Sequence, residues 1–204
     1  MKTSAPDAPT KQKLLAAAER LMLAQGYAAT TVDDICGAAR LTKGSFFHYF
    51  ASKEALGREL LERFCRTAQR RMREAPCCGQ ADPLRRVLGH IDFAMEQMGR
   101  QQRAGQVCGC LLGAFAQELS DTHPGIRAVC AEAFSQWAGA FKKDVDAAKA
   151  RYAPRATWET KGLAEHFVAV IEGALLMAKA QQDPKVLERS LRHFRRYVES
   201  LFAR

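Results

Sequence analysis

Hydrophobic residues recur three or four positions apart along most of this chain, which is the spacing of one helix face. The first such stripe contains Leu14, Ala18, Leu21 and Met22, and Gly26 follows it as a typical stop signal. Later segments repeat the pattern and are bounded by Pro83, Pro124, Pro154 and Pro184. Because no segment needs a strand to explain its pattern, the sequence predicts an all-α protein.

Polar residues that favour helix starts divide the N-terminal region into short helices. Thr31 begins a capping-box sequence, Thr42 can cap a short third helix, and Ser52 can cap a long fourth one. Two short helices joined by a tight turn form a helix-turn-helix unit, whose second helix enters the major groove of DNA. We therefore expect a three-helix DNA-binding domain in residues 1–52, which a long helix joins to a helical domain in residues 53–204.

The expected reading helix, residues 43–50, presents aromatic side chains on two sides. Phe46 and Phe50 fall on the side that faces the other helices. Phe47 points outward, where it is either ordinary surface or a contact for a thymine methyl or a sugar. The neighbouring polar residues suit phosphates and base edges, although each also has an ordinary role as a cap or a surface residue. The candidate contact positions are Thr42, Lys43, Gly44, Ser45, Phe47, His48, Tyr49 and Lys53.

Composition narrows the class of partner without deciding it. The net charge of +9 suits a polyanionic partner but also fits solvated helix faces. No apolar run approaches the roughly 18 residues of a membrane span, and the first residues lack the apolar core of a signal peptide. We therefore expect a cytoplasmic protein without membrane contact. The seven cysteines have irregular spacing, which favours reduced thiols over a disulfide framework.

The stretch TTVDDICGAARLTKGSFFHYFASKEAL resembles the DNA-binding segment of TetR/AcrR family transcriptional regulators. It departs from the family pattern at Arg40, where the turn more often carries glycine. The resemblance implies a homodimer that binds double-stranded DNA at a palindromic operator and answers a small-molecule effector. It also implies operator contacts by Thr31, Thr42, Lys43, Ser45, Phe47, Tyr49 and Lys53.

Two apolar stripes near the C-terminus are candidates for the dimer contact. Periodicity alone leaves open whether these stripes form a four-helix bundle between two subunits or the core of a single chain. The resemblance favours the bundle. The residues concerned are Phe167, Ile171, Ala174, Leu191, Phe194 and Val198.

The segment VCGCLLGAFAQELSD, residues 107–121, is similar to a branch of the family that answers electrophiles or acrylate-like compounds. By that resemblance Cys110 is a sensing thiol, and Arg100 and Arg103 would lower its pKa. Cys108 would then trap an oxidised Cys110 or be modified itself. The alternatives are two small buried hydrophobic residues, a metal sensor, or a thiol-dependent enzyme that uses Cys108 and Cys110.

The remaining candidates concern an effector pocket. Phe115, Trp137 and Phe167 either line a cavity or belong to ordinary core. Glu118 and Glu172 either contact a polar ligand or serve as capping and solvated residues. No metal site or cofactor is expected. The sequence therefore predicts a ligand- or thiol-responsive repressor rather than an enzyme.

Overall fold

The computed structural model describes residues 9–103 and 109–203 of the chain. Every regular element within these residues is helical, which confirms the all-α prediction. The α-helices are α1 (Pro9–Gln25), α2 (Val32–Ala39), α3 (Lys43–Tyr49), α4 (Lys53–Arg73), α5 (Pro83–Arg103), α6 (Leu111–Leu119), α7 (Pro124–Tyr152), α8 (Thr160–Gln181) and α9 (Lys185–Phe202), with a 3₁₀ turn at Pro76–Gly79. None of the helices in the described ranges combines the length and the apolar composition that crossing a lipid bilayer requires.

The chain divides into two compact units. The first unit contains the described residues up to Arg66 together with Leu111–Cys130, and the second contains Thr67–Cys110 and the residues from Ala131 onward. The first unit therefore includes α6 as well as the helix-turn-helix. The expected division after residue 52 is a functional one and stays a prediction.

The core of the first unit fixes the short helices of its N-terminal part. Helix α1 packs against α2, α3 and α6. Leu14 of α1, Ile35 of α2 and Phe46 of α3 are completely buried there. Because α3 has only seven residues, it is too short to be stable in isolation, and this burial holds it in place.

An aromatic stack lies at the centre of the second unit, where α8 and α5 both pack against α9. The ring of Phe167 stacks on Phe141 with centroids 4.4 Å apart and on Phe194 with centroids 5.4 Å apart. Such contacts stabilise a fold by about 0.5–1.5 kcal/mol per pair beyond the area they bury. The stack therefore holds α8 and α9 against the C-terminal part of α7.

A polar network ties α5 to the same part of α7. The Nε of Arg86 donates to Oδ1 of Asp144 at 2.6 Å, and Nε2 of the buried His90 lies 2.8 Å from Oδ2. Burial alone would raise the pKa of Asp144, but the hydrogen bonds and charges of Arg86 and His90 outweigh it and lower that pKa. The carboxylate is therefore kept ionised inside the unit.

Candidate DNA-binding surface and thiol site

The turn between α2 and α3 is built by local hydrogen bonds. The predicted capping box is present, since Thr31 Oγ1 accepts from the Asp34 amide at 3.1 Å and Asp34 Oδ2 accepts from the Thr31 amide at 2.9 Å. Arg40 has φ 55° and ψ 47°, the left-handed conformation that glycine favours at a helix end. The amide of Leu41 then donates to the Cys36 carbonyl at 2.9 Å, which closes the turn.

Helix α3 separates its aromatic residues by burial. Phe46 is 0% exposed and Phe50 is 2% exposed, whereas the side chain of Phe47 is 56% exposed. The rings of Phe47 and Phe50 both contact that of Phe46, with centroids 5.3 Å and 5.6 Å away. The buried rings thus anchor the helix, and Phe47 stands on the surface beside the polar residues.

The polar face of α3 is accessible. The Thr42 side chain caps the helix by accepting from the Ser45 amide at 3.2 Å. The Nζ of Lys43 lies 3.0 Å from Oδ1 of Asp33, but both side chains are more than half exposed. Exposed pairs of this kind contribute little free energy and exchange easily for a phosphate or a base edge. The other candidate contacts on this surface are Thr31, Gly44 and His48, which are exposed, and Tyr49, which is partly exposed.

Lys53 has backbone partners that the sequence did not indicate. Its Nζ donates to the backbone carbonyls of Tyr27 at 3.0 Å and Thr30 at 2.9 Å, and lies 4.3 Å from the centre of the Tyr27 ring. The ammonium group therefore holds the loop between α1 and α2, and its contact with a phosphate stays a prediction. The N-terminus of α4, where Ser52 Oγ accepts from the Ala55 amide at 3.1 Å, remains available for that role.

Glu118 has a role that the sequence left open. Its carboxylate accepts hydrogen bonds from the backbone amides of Tyr27 and Ala28. Glu118 and Tyr27 lie 91 positions apart, so no local pattern marks this contact. The sequence showed only that Glu118 is an acidic residue near the end of a short helix, which does not identify its partners.

Cys110 lies directly before α6 and is 9% exposed. Its thiol is hydrogen bonded to the carboxyl group of Glu172 on α8. Oε1 of Glu172 is buried and has no hydrogen-bond partner in the described part of the chain. Burial raises the pKa of Glu172, and the hydrogen bond with Cys110 opposes part of that shift. The thiol is therefore next to a carboxyl group that is less acidic than usual.

Of the two arginines expected near this thiol, the structure describes the side chain of one. Arg100 pairs with Glu96 on the surface of α5. The side chain of Arg103 and the whole of Cys108 lie outside the described residues. Within the described residues, Glu172 of α8 contacts Cys110, and the effect of the two arginines on the thiol stays a prediction.

Four of the other described thiols are less acidic than a free cysteine. Burial raises the pKa of Cys77 and of Cys130 to about 11 in each case, and burial also raises the pKa of Cys36 and Cys65. Cys78, next to the buried Cys77, is exposed. Among the residues that the structure describes, no group of three potential metal ligands occurs.

The three aromatic pocket candidates have different neighbours. Phe115 meets the edge of Tyr27 with ring centroids 5.5 Å apart, in the first unit. Trp137 meets Phe134 at 6.0 Å in the second unit, where Phe167 belongs to the central stack. Their ring contacts involve separate partners, and a shared effector pocket stays a prediction.

The candidate dimer residues lie inside the chain's own core. Four of them, Phe167, Ala174, Leu191 and Phe194, are at most 5% exposed, Val198 is 0% exposed, and Ile171 is partly buried. Ala174 and Phe194 nevertheless line a groove between α8 and α9, so their contact with a second subunit stays a prediction. The exposed apolar residues of α8 and α9 are instead Leu176, Met177 and Tyr197, and the latter two line the same groove between these helices.

Comparison with known proteins identifies the family. A family model described as bacterial regulatory proteins, tetR family, matches residues 14–60. A second, described as tetracyclin repressor-like, C-terminal domain, matches residues 83–194. The chain belongs to the TetR family. The helix-turn-helix described above is therefore that of a DNA-binding transcriptional regulator.

Similar regulators come from several bacteria. The transcriptional repressor DhaR of Mycobacterium sp. (strain GP1) is 30% identical over 90% of this chain and 89% of its own. The transcriptional regulator AcuR of Cereibacter sphaeroides is 33% identical over 95% of this chain and 87% of its own. The crystal structure of E. coli NemR in reduced form has a TM-score of 0.76 and 27% identity, and covers 92% of this chain and 95% of that one. Since such relatives are TetR-family regulators, the alternative of a thiol-dependent enzyme finds no support.

Proposed function

We propose that this TetR-family regulator is a homodimeric repressor that holds a palindromic operator and releases it when a small effector or a thiol modification acts on the C-terminal part of the chain. The division of α3 into buried and exposed residues carries the proposal. Phe46 fixes the helix, and Lys43, Ser45 and Phe47 are left on one accessible surface. An operator lies in the bacterial cytoplasm, where we therefore place the protein.

Recognition requires two copies of this surface. A two-fold dimer presents its reading helices to half-sites about 34 Å apart, one turn of DNA. The exposed apolar residues Leu176, Met177 and Tyr197 on α8 and α9 supply the surface that a second copy would cover. Burial of such side chains is the main driving force for association. The dimer contact proposed here is thus the exposed face of these two helices.

The DNA-binding proposal is tested by fluorescence anisotropy with duplexes from the region upstream of the protein's own gene. Tight binding to one palindrome, with an affinity that falls steeply as salt rises, is the expected result. Lys43→Ala should weaken it, whereas Lys161→Ala, which changes a similarly exposed and ion-paired lysine of α8, should not. Equal affinity for the palindrome and for a scrambled duplex would contradict the proposal.

Cys110 is the proposed reactive thiol, and its bond to Glu172 supports a specific chemistry. In reaction with an α,β-unsaturated carbonyl compound, Sγ of Cys110 forms a bond to the β carbon. The thiol proton passes to Glu172 and then to the α carbon, so the addition needs no further reactant. The crystal structure of E. coli NemR is described as the reduced form of that protein, which is a reason to test thiol chemistry in this one.

The thiol proposal predicts operator release by N-ethylmaleimide in the wild type. Cys110→Ser should resist release, and Cys130→Ser, which changes a buried thiol, should behave as the wild type. Glu172→Gln should slow modification of Cys110, because the amide accepts a proton far less readily than a carboxylate. If Cys110→Ser and Cys108→Ser both release the operator normally, the thiol mechanism is wrong.

A further inference from the structure

Glu118, near the end of α6, holds two consecutive peptide groups of the loop between α1 and α2. Its Oε2 accepts from the Tyr27 amide at 2.7 Å, and its Oε1 accepts from the Ala28 amide at 2.6 Å. Hydrogen bonds to a charged acceptor are about twice as strong as neutral ones. Both carboxylate oxygens of one residue are thus committed to the segment that leads into α2.

The loop is shaped to receive this carboxylate. Gly26 has φ 90°, a conformation that other residues rarely adopt, and a Cβ there would lie 3.2 Å from Oε2 of Glu118. On the opposite side, the Nζ of Lys53 donates to the carbonyls of Tyr27 and Thr30. The amides of the loop are therefore fixed by α6 and its carbonyls by α4.

Apolar packing joins α6 to the same loop. Phe115, one turn before Glu118, is 1% exposed and meets the edge of the Tyr27 ring at 5.5 Å. Gly57 of α4 allows this approach, since a Cβ there would lie 3.2 Å from each of the two rings. Because interiors are close-packed, α6 cannot shift without shifting or breaking these contacts.

We propose that Glu118 is the coupling residue through which α6 sets the position of the helix-turn-helix. The helix has nine residues and begins at Leu111, directly after Cys110. A displacement at its start is carried along the hydrogen-bonded helix to the carboxylate, which moves the loop and the start of α2 with it. The inference rests on the proposed regulatory function and adds the path by which the C-terminal event reaches the reading helix.

A double-mutant cycle tests this coupling with the operator Kd as the readout. Cys110→Phe overpacks the start of α6 and should weaken operator binding by about tenfold, within the usual range of allosteric coupling. Glu118→Gln keeps the size of the side chain but replaces one acceptor oxygen by an NH₂ group that cannot accept from the loop. In the Glu118→Gln background, the same Phe substitution should weaken binding by no more than about threefold. Gln117→Ala, an exposed neighbour on α6, is the matched control.

Amide hydrogen exchange gives a second readout that is independent of DNA. The Tyr27 and Ala28 amides should exchange faster in Glu118→Gln than in the wild type or in Gln117→Ala. Unchanged exchange of these two amides in Glu118→Gln would overturn the inference. So would a loss of operator affinity from Cys110→Phe that is equal in the two backgrounds, or no loss in the wild-type background. Cys110→Met replaces the Phe variant if the latter does not fold. If N-ethylmaleimide fails to release the wild type while overpacking at Cys110 weakens binding, the thiol proposal fails and the coupling stands.

Discussion

Two adjacent phenylalanines of α3 should respond to the same substitution in opposite ways. Phe46 is completely buried, whereas Phe47 is 56% exposed and faces the proposed operator. Replacement of each by alanine, in separate variants, removes the same atoms from neighbouring positions of one short helix. The two variants therefore separate the residue that holds the reading helix from the residue that reads.

The expected magnitudes follow from burial. Truncation of a buried phenylalanine costs about 3–5 kcal/mol of unfolding free energy, which is the expectation for Phe46→Ala. Full burial of a phenylalanine contributes roughly 1.5–3 kcal/mol, and about half of the Phe47 side chain remains to be buried against DNA. Phe47→Ala should therefore lose about 1 kcal/mol per half-site and about 2 kcal/mol per dimer, a roughly thirtyfold weaker operator complex.

Urea denaturation followed by circular dichroism measures the unfolding free energy, and fluorescence anisotropy measures the affinity for the operator. Phe47→Ala should unfold within about 1 kcal/mol of the wild type, since most of its side chain is already in water. If Phe46→Ala and Phe47→Ala lose unfolding free energy equally, the assignment of the two rings is wrong. Wild-type operator affinity in Phe47→Ala would refute the role of this ring in recognition.

Three further predictions concern the turn, the polar network and the dimer. Arg40→Gly should raise the unfolding free energy by about 0.5–1 kcal/mol in urea denaturation, because glycine relieves the left-handed strain at a smaller entropic cost; a decrease would contradict this. Asp144→Asn should cost about 3 kcal/mol at neutral pH. Since the pKa of Asp144 is lowered by folding, its stabilisation is present above its ordinary pKa and is lost as pH falls through the lowered one, so unfolding curves of the two proteins should converge in acid. Met177→Asp should shift light scattering toward the monomer mass, and Ser135→Asp, with the same charge on an exposed position of α7, should not.

The features that the sequence predicted are those with local causes. Thr31 and Thr42 cap α2 and α3 because each side chain bonds an amide three residues later, within its own helix. The inward direction of Phe46 and the outward direction of Phe47 follow from the turn angle of a single helix. Such features need no knowledge of the tertiary fold, and they include most of the candidate DNA-binding surface.

The features that the sequence missed depend on contacts between distant segments. An amphipathic stripe indicates that Leu191 and Val198 are buried, but it does not indicate whether their neighbours belong to the same chain. Lys53 suited a phosphate by its position at a helix start, yet carbonyls from the preceding loop take its ammonium group. The carboxyl group beside Cys110 belongs to Glu172 on a separate helix, and no local sequence pattern indicates this contact.

Net charge is a poor guide to how this protein recognises DNA. The chain carries +9, but on the candidate surface Lys43 already faces Asp33 and Lys53 is turned into the α1–α2 loop. Both lysines must therefore give up or share a partner in this chain before they can contact a phosphate. We expect specific binding to combine Lys43, once it exchanges Asp33 for the operator, with helix N-termini, hydroxyl groups and the exposed ring of Phe47, which act at short range. Contacts of this kind require the reading helices to be placed accurately, and a shift in the loop that Glu118 holds would be enough to lose them.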